Sequence, residues 1–268
     1  MRIILPLLVL GIVLSGCDMS AKKEEAELHM QNGEYEAAAV AYSKVIRLEP
    51  DDNFSIFNRA QAYEKIGEYE NAYDDYARLV TLKWKTKQAL IGRARCNFEL
   101  ENYAGVIMDM NGVLSNDPEN IEALDLRGRS YVKRGKLNKA IPDLDLVIRE
   151  DPENIQALVS RGAAMARGGQ GPAAINDFDR ALRIDPNLSV AYFNKAMVFL
   201  VYENFDVAVE NFDKAIDLNN EYAEAYTRRG MAKMTSSKFD LSQACADFEL
   251  GSEFDDELGT EYIKEYCK

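Results

Sequence analysis

The chain has 268 residues, 47% of them hydrophobic, and its 45 acidic side chains outweigh 32 basic ones to give a net charge of −13. Such acidity repels phosphate backbones and anionic head groups, so nucleic acid is a poor candidate partner. A single histidine, His29, excludes histidine-based triads and multi-histidine metal sites, and no Gly-Lys-Ser/Thr phosphate loop occurs.

Met1-Arg2 supplies a minimal positive start, and Ile3 to Leu14 is an apolar run too short to span a bilayer as a mature helix. The run ends in Leu14-Ser15-Gly16-Cys17. Small residues before a cysteine at this place resemble the lipobox of bacterial lipoproteins. The resemblance implies that 1–16 is a signal peptide, cut before Cys17, whose thiol then carries palmitate or similar chains. An ordinary secretory signal with a chance cysteine is the competing reading. Each buried methylene contributes about 0.8 kcal/mol, and two or more chains give stable anchoring. Residues 17–21 then form a lipidated terminus and short tether, on the order of 14 Å long.

Beyond the tether the chain repeats. Arg59, Arg93, Arg127, Arg161, Lys195 and Arg229 follow one another at intervals of 34 residues, a period that marks a stacked repeat rather than a closed globule. Small residues share the register at Ala60, Ala94, Gly128, Gly162, Ala196 and Gly230, and again at Ala38, Ala72, Ala140, Ala174 and Ala208. Large apolar residues recur at Tyr42, Tyr76, Met110, Leu144, Phe178 and Phe212. The spacing predicts helix-turn-helix units at 19–52, 53–86, 87–120, 121–154, 155–188, 189–222 and an irregular 223–252. In each, a 4-3 spacing such as Ile56, Ala60 and Tyr63 gives the first helix one apolar face. Gly33, Gly67, Gly135 and Gly169 stand where a helix C-terminus needs a left-handed residue.

A small residue at place 8, tyrosine at 11, alanine at 20, an aromatic at 24 and proline at 32 resemble the tetratricopeptide repeat. The likeness implies an all-α, right-handed solenoid over 22–252 that binds proteins rather than catalysing reactions, with no cofactor. Lys22 and Glu25 replace apolar residues in the first unit, which therefore reads as a polar cap. In the last unit alanine and phenylalanine arrive two residues late, at Ala244 and Phe248, so a longer turn is expected at Thr235–Phe239. Leu258, Tyr262, Ile263 and Tyr266 mark a C-terminal capping helix within 253–268. The ending, Ala244-Cys245-Ala246-Asp247-Phe248 and Tyr266-Cys267-Lys268, also resembles tetratricopeptide lipoproteins of Bacteroidota.

Of the other cysteines, Cys96 falls mid-helix among small repeat-mates and reads as a buried side chain. Cys245 and Cys267 lie on the last two predicted helices, where an antiparallel turn near Ser252 leaves a disulfide open to them. The arginine column has acidic counterparts at Asp75, Asp109, Asp143, Asp177, Asn211 and Asp247. A charge present in every repeat serves a need common to every repeat, so a structural ladder is favoured over a row of ligand-binding groups.

Binding is expected on the concave face, at places 2, 5, 9 and 12 of the first helices. One apolar patch there comprises Phe54, Phe57, Ile91 and Phe98; a second comprises Val190, Phe193, Met197, Leu200, Met231 and Met234. Exposed apolar area marks interaction sites, and methionine adapts to varied partners. The competing reading packs places 5 and 12 against the neighbouring repeat. Arg95 and Arg129 are expected to orient an acidic group on the ligand. Lys23 and Asn58 match two places of the family's chaperone-tail clamp, but Glu27 and Gly92 break it. Gly168-Gly169-Gln170-Gly171 is read as a turn rather than an anion cradle. The resemblance to tetratricopeptide lipoproteins implies a lipid-anchored envelope scaffold, favoured at the outer membrane, that assembles or localises an envelope or secretion complex. An adaptor recruiting a periplasmic protease or cell-wall hydrolase is the alternative.

Overall fold

The computed structural model describes residues 7–267, with side chains from 19 onward. Residues 1–6 of the expected leader and the Cys17 side chain lie outside the described residues. All regular structure among the described residues is helical. The first unit holds α1 (Leu7–Gln31), α2 (Tyr35–Leu48), α3 (Asn53–Lys65), α4 (Tyr69–Thr81), α5 (Thr86–Glu99) and α6 (Tyr103–Leu114). Helix α7 (Ile121–Lys133) carries the boundary between the two compact units, which falls after Ser130. The second unit continues with α8 (Leu137–Glu150), α9 (Ile155–Arg167), α10 (Gly171–Ile184), α11 (Ser189–Val201), α12 (Phe205–Leu218), α13 (Ala223–Thr235), α14 (Leu241–Glu253) and α15 (Glu257–Tyr266). Residues 17–21, expected as a tether, are helical within α1. Asp18-Met19-Ser20-Ala21 contains neither glycine nor proline, so nothing local stops the helix there.

The turns within pairs share one backbone device. Gly33, Gly67, Gly135 and Gly169 adopt φ of 77°, 78°, 68° and 79°, which tilts the chain from one helix into the next. Glu101 and Glu203 occupy the same column and are forced to φ of 56° and 57°. The repeat geometry thus imposes a left-handed conformation even where the residue resists it.

Packing follows the small and large columns. Tyr42, Tyr76, Met110, Leu144, Phe178, Phe212 and Phe248 are all buried, as are their partners Ala38, Ala60, Ala72, Ala94, Ala174, Ala196, Ala208 and Ala244. The fit is tight enough to require glycine in the small column, as at Gly162 and Gly230. A Cβ on Gly162 would stand 2.7 Å from the Phe178 ring, and one on Gly230 2.6 Å from Phe248. Cys96 belongs to the same core, and burial pushes its thiol pKa up to about 12.

The charged columns form a ladder. Arg59 donates from Nε and Nη2 to Asp75 at 2.8 and 2.7 Å, and Arg161 does the same to Asp177. Arg93 pairs with Asp109 and Arg229 with Asp247 in the same two-pronged manner. The remaining nitrogen reaches back one helix pair: Arg59 to Ser43 at 3.1 Å, Arg127 to Asn111 at 2.8 Å, Arg161 to Asp145 at 2.8 Å and Arg229 to Asp213 at 2.6 Å. Lys195 has one short head and pairs only backward, with Asp179 at 2.7 Å. Its forward counterpart is the neutral Asn211, which donates to Val207 O instead. One guanidinium therefore fastens its own pair closed and holds the preceding pair against it.

At the far end the turn between α13 and α14 is longer, and the Arg229–Asp247 spacing grows to 18 residues. Helix α15 then covers α14, with Tyr262 stacked 4.9 Å from Phe248 and Gly259 of α15 buried where the two helices meet. A disulfide joins Cys245 to Cys267, their Cα atoms 5.7 Å apart. In the chain-entropy picture a loop of this length contributes about 3 kcal/mol.

Glu101→Gly and Glu203→Gly should each raise stability by about 0.5–1 kcal/mol, because glycine meets no Cβ penalty in the left-handed region. Urea denaturation checks this; a loss of stability in both variants would contradict it.

Candidate binding surfaces

The inner positions of the first unit lie on α3, α5 and α7. Phe54 is 43% exposed. Phe57 is half-buried, edge-on to Tyr76 at 5.8 Å and 5.7 Å from Trp84. The Lys85 ammonium lies 4.9 Å from the Phe57 ring and 4.7 Å from Trp84, covering this aromatic group from within the chain. Trp84 holds the column that Pro50, Pro118, Pro152 and Pro186 hold elsewhere. Ile91 corrects the expected patch: it is buried at 7% exposure and presents nothing to a ligand. Phe98 lies under the Arg129 guanidinium at 4.4 Å and edge-on to Tyr103. The first apolar patch is thereby broken into separately covered pieces.

The two inner arginines are also engaged. Arg95 donates to Glu64 from Nε at 2.7 Å and Nη2 at 3.0 Å, and from Nη1 to Glu122 at 2.8 Å. These hydrogen bonds, Glu64 foremost, raise its pKa further. Glu64 also accepts from the Tyr76 hydroxyl, whose proton burial and the nearby carboxylate hold firmly. Arg129 pairs with Asp125 at 3.1 Å, while Asp125 Oδ1 is buried without a hydrogen-bond partner. Burial raises the Asp125 pKa, and Arg129 offsets it only in part. A concave pocket of about 520 Å³ opens here among Gln61, Glu64, Lys65, Arg95, Phe98 and Arg129. Its charges answer one another, so the expectation that Arg95 and Arg129 wait for an acidic ligand is corrected: both have carboxylates from this chain.

The second unit differs. Phe193, expected on the surface, is buried at 7%, stacked 4.8 Å from Tyr222 and edge-on to Phe212. Tyr222, just before the next first helix, supplies the cover. Val190 is exposed, Met197 and Leu200 lean half-buried on the same core, and Met231 and Met234 are half-buried on α13. Arg228 Nη1 lies 3.7 Å from Met231 Sδ. A hollow of about 290 Å³ opens between α9 and α11, lined by Ala163, Ala166, Arg167, Asn194, Met197, Val201 and Tyr202 among others. Val201 at 77% exposure and Tyr202 at 55% were not among the expected site residues. They lie just past place 12, and the signal for them is an apolar pair where most repeats end the helix in polar residues.

Among the described residues no helix is long and apolar enough to cross a membrane, and no group of three His, Cys, Asp or Glu side chains is placed to hold a metal.

A tetratricopeptide repeat family model matches residues 23–85 and 126–189. With the helix pairs and columns described above, the chain belongs to the tetratricopeptide repeat family. It is similar in fold to a tetratricopeptide repeat protein from Parabacteroides merdae, at 19% identity and a TM-score of 0.72 over 93% of this chain and 99% of that one. A second neighbour is the C-terminal part of a repeat-containing protein from Cytophaga hutchinsonii, at 15% identity and a TM-score of 0.62, covering 89% and 98%. A third is YrrB, described as having an unusual peptide-binding site, at 24% identity and a TM-score of 0.56 over 70% and 97%. A search of curated proteins finds no match.

Arg95→Ala should lower stability by about 1 kcal/mol, since its partners Glu64 and Glu122 lie where solvent screens part of the interaction. Urea titration measures this, and unchanged stability would show that the Glu64–Arg95–Glu122 chain is idle.

Proposed function

We propose that this protein is a lipid-anchored, non-catalytic scaffold of a bacterial cell envelope that holds a segment of a partner protein and so assembles or localises a larger envelope complex. The observation that carries the binding role is an asymmetry between the two units. On the first unit's inner face Arg95 and Arg129 are paired with carboxylates of the chain itself, and Lys85 and Arg129 lie over the Phe57 and Phe98 rings, leaving Phe54 as the exposed apolar residue. The second leaves Val190, Val201 and Tyr202 exposed beside half-buried methionines. Apolar side chains kept in water in this way are a standing cost that a partner relieves. YrrB, a neighbour in fold, is itself described as binding a peptide, which supports the same reading here.

The anchor rests on Leu14-Ser15-Gly16-Cys17 after an apolar run. Outer-membrane placement is part of the proposal and rests on the Bacteroidota likeness of the C-terminus.

In cells fed labelled palmitate, the wild type should take up label and Cys17→Ala should not. Label on both, or on neither, would remove the anchor from the account. Photoreactive residues at Met197 and Met231 should crosslink one envelope protein in whole cells, while residues at Phe54 should capture much less. Equal capture from both units would contradict the assignment of binding to the second.

A further inference from the structure

Where one repeat departs from a column its neighbours share, the departure does something the common fold does not need. The fifth repeat departs three times in one place. The second helices begin on Tyr35, Tyr69, Tyr103, Leu137 and Phe205, but α10 begins on Gly171. At place 9 of the first helix the sequence reads Gln61, Arg95, Arg129, Met197 and Met231, but here Ala163; at place 12 Glu64, Phe98, Val132, Leu200 and Met234, but here Ala166. Three large side chains are missing from adjoining positions, and the hollow of about 290 Å³ is what remains. The next repeat fills it only in part. The Tyr202 ring leans over Gly171 so closely that any Cβ there would collide with it, yet Tyr202 stays 55% exposed.

Resting on the groove reading above, we propose that this hollow receives one large apolar side chain, aromatic by preference, from an extended internal segment of the partner, with an acidic residue beside it paired to Arg167. The volume lies at the low end for ligand sites and suits one bulky side chain better than a whole small molecule. Among the lining residues Arg167 carries the one formal charge, and the chain around it is strongly acidic. Its Nη1 donates to Val132 O at 2.9 Å, while an arginine has five N–H donors in all, so a carboxylate finds others. A passing segment fits better than a chain end, because exposed Val190 and Val201 lie at opposite ends of α11. Eleven residues of helix separate them, about 16 Å, which about five residues of extended chain span.

The test uses purified full-length protein with methyl-labelled methionine, followed by NMR. The probe is an acetylated, amidated heptapeptide with a central Trp-Glu pair in a Gly-Ser frame. It should shift the Met197 methyl, with binding about ten-fold weaker when Gln replaces the peptide's Glu. Alanine in place of the tryptophan should abolish the shift. Ala166→Phe should fill the hollow and remove binding. Arg167→Glu, at an exposed position, should weaken the Trp-Glu peptide about ten-fold and leave the Trp-Gln peptide unchanged, the unchanged Trp-Gln binding reporting an intact fold. Equal binding of the Glu and Gln peptides would overturn the Arg167 pairing. Tighter binding of an uncapped peptide ending in Trp would replace the passing segment with a chain end and overturn the proposal. Shifts at Met231 and Met234 with Met197 still would sink the hollow while leaving a binding groove standing. No shift at any of the three would sink both.

Discussion

The fold depends on the guanidinium that most repeats place between neighbouring helices. A lone helix pair has an apolar face it cannot hide, and burying that face against the next pair is non-directional; any sliding register would serve. The arginine column makes it directional. Two nitrogens of Arg161 close its own pair onto Asp177, and the third reaches Asp145 of the pair before. With Asp177 at 3% side-chain exposure, a slipped register would leave a buried carboxylate without its partner. Such a loss costs on the order of 3–5 kcal/mol, a large part of any domain's net stability. The small and large columns then supply close packing within a register the ladder has fixed.

The Lys195 repeat shows how strictly this geometry is kept. Lysine offers a single short head, so it serves one neighbour, Asp179, and the other acidic position has become Asn211, which is satisfied by its own helix. Had aspartate remained there, a buried charge would face no fork. In the last repeat the turn lengthens by two residues and the acidic partner moves with it to Asp247, where Lys233 joins Arg229 at 2.9 Å. The same logic explains the left-handed Glu101 and Glu203: register outranks local preference.

Repeat period, helix pairs, turn glycines and the long last turn were all legible in the sequence, because each is a periodic or chemically forced signal. The binding face was less legible. The spacing leaves place 5 open between surface and packing against the neighbouring repeat; Phe193 takes the second course, covered by Tyr222, and that contact depends on where the next pair begins. The partners of Arg95 sit 31 residues before and 27 after it, spacings that belong to neighbouring first helices rather than to the ladder, so the repeat pattern does not reveal them. The hollow beside Tyr202 is a case of absence: Ala163, Ala166 and Gly171 look unremarkable one at a time, and only their adjacency in space makes a cavity. Columns shared by all repeats build the fold, and broken columns are where a particular partner is read.

The ladder is tested most directly by a double-mutant cycle at Arg93 and Asp109. This pair is clean, since the backward position is Ala77 and offers no second acceptor. Calorimetry on Arg93→Met, Asp109→Asn and the double variant should yield a coupling of about 2 kcal/mol or more, as expected for a fork at 15% and 1% side-chain exposure. A coupling near zero would mean that the repeats hold register without their charges.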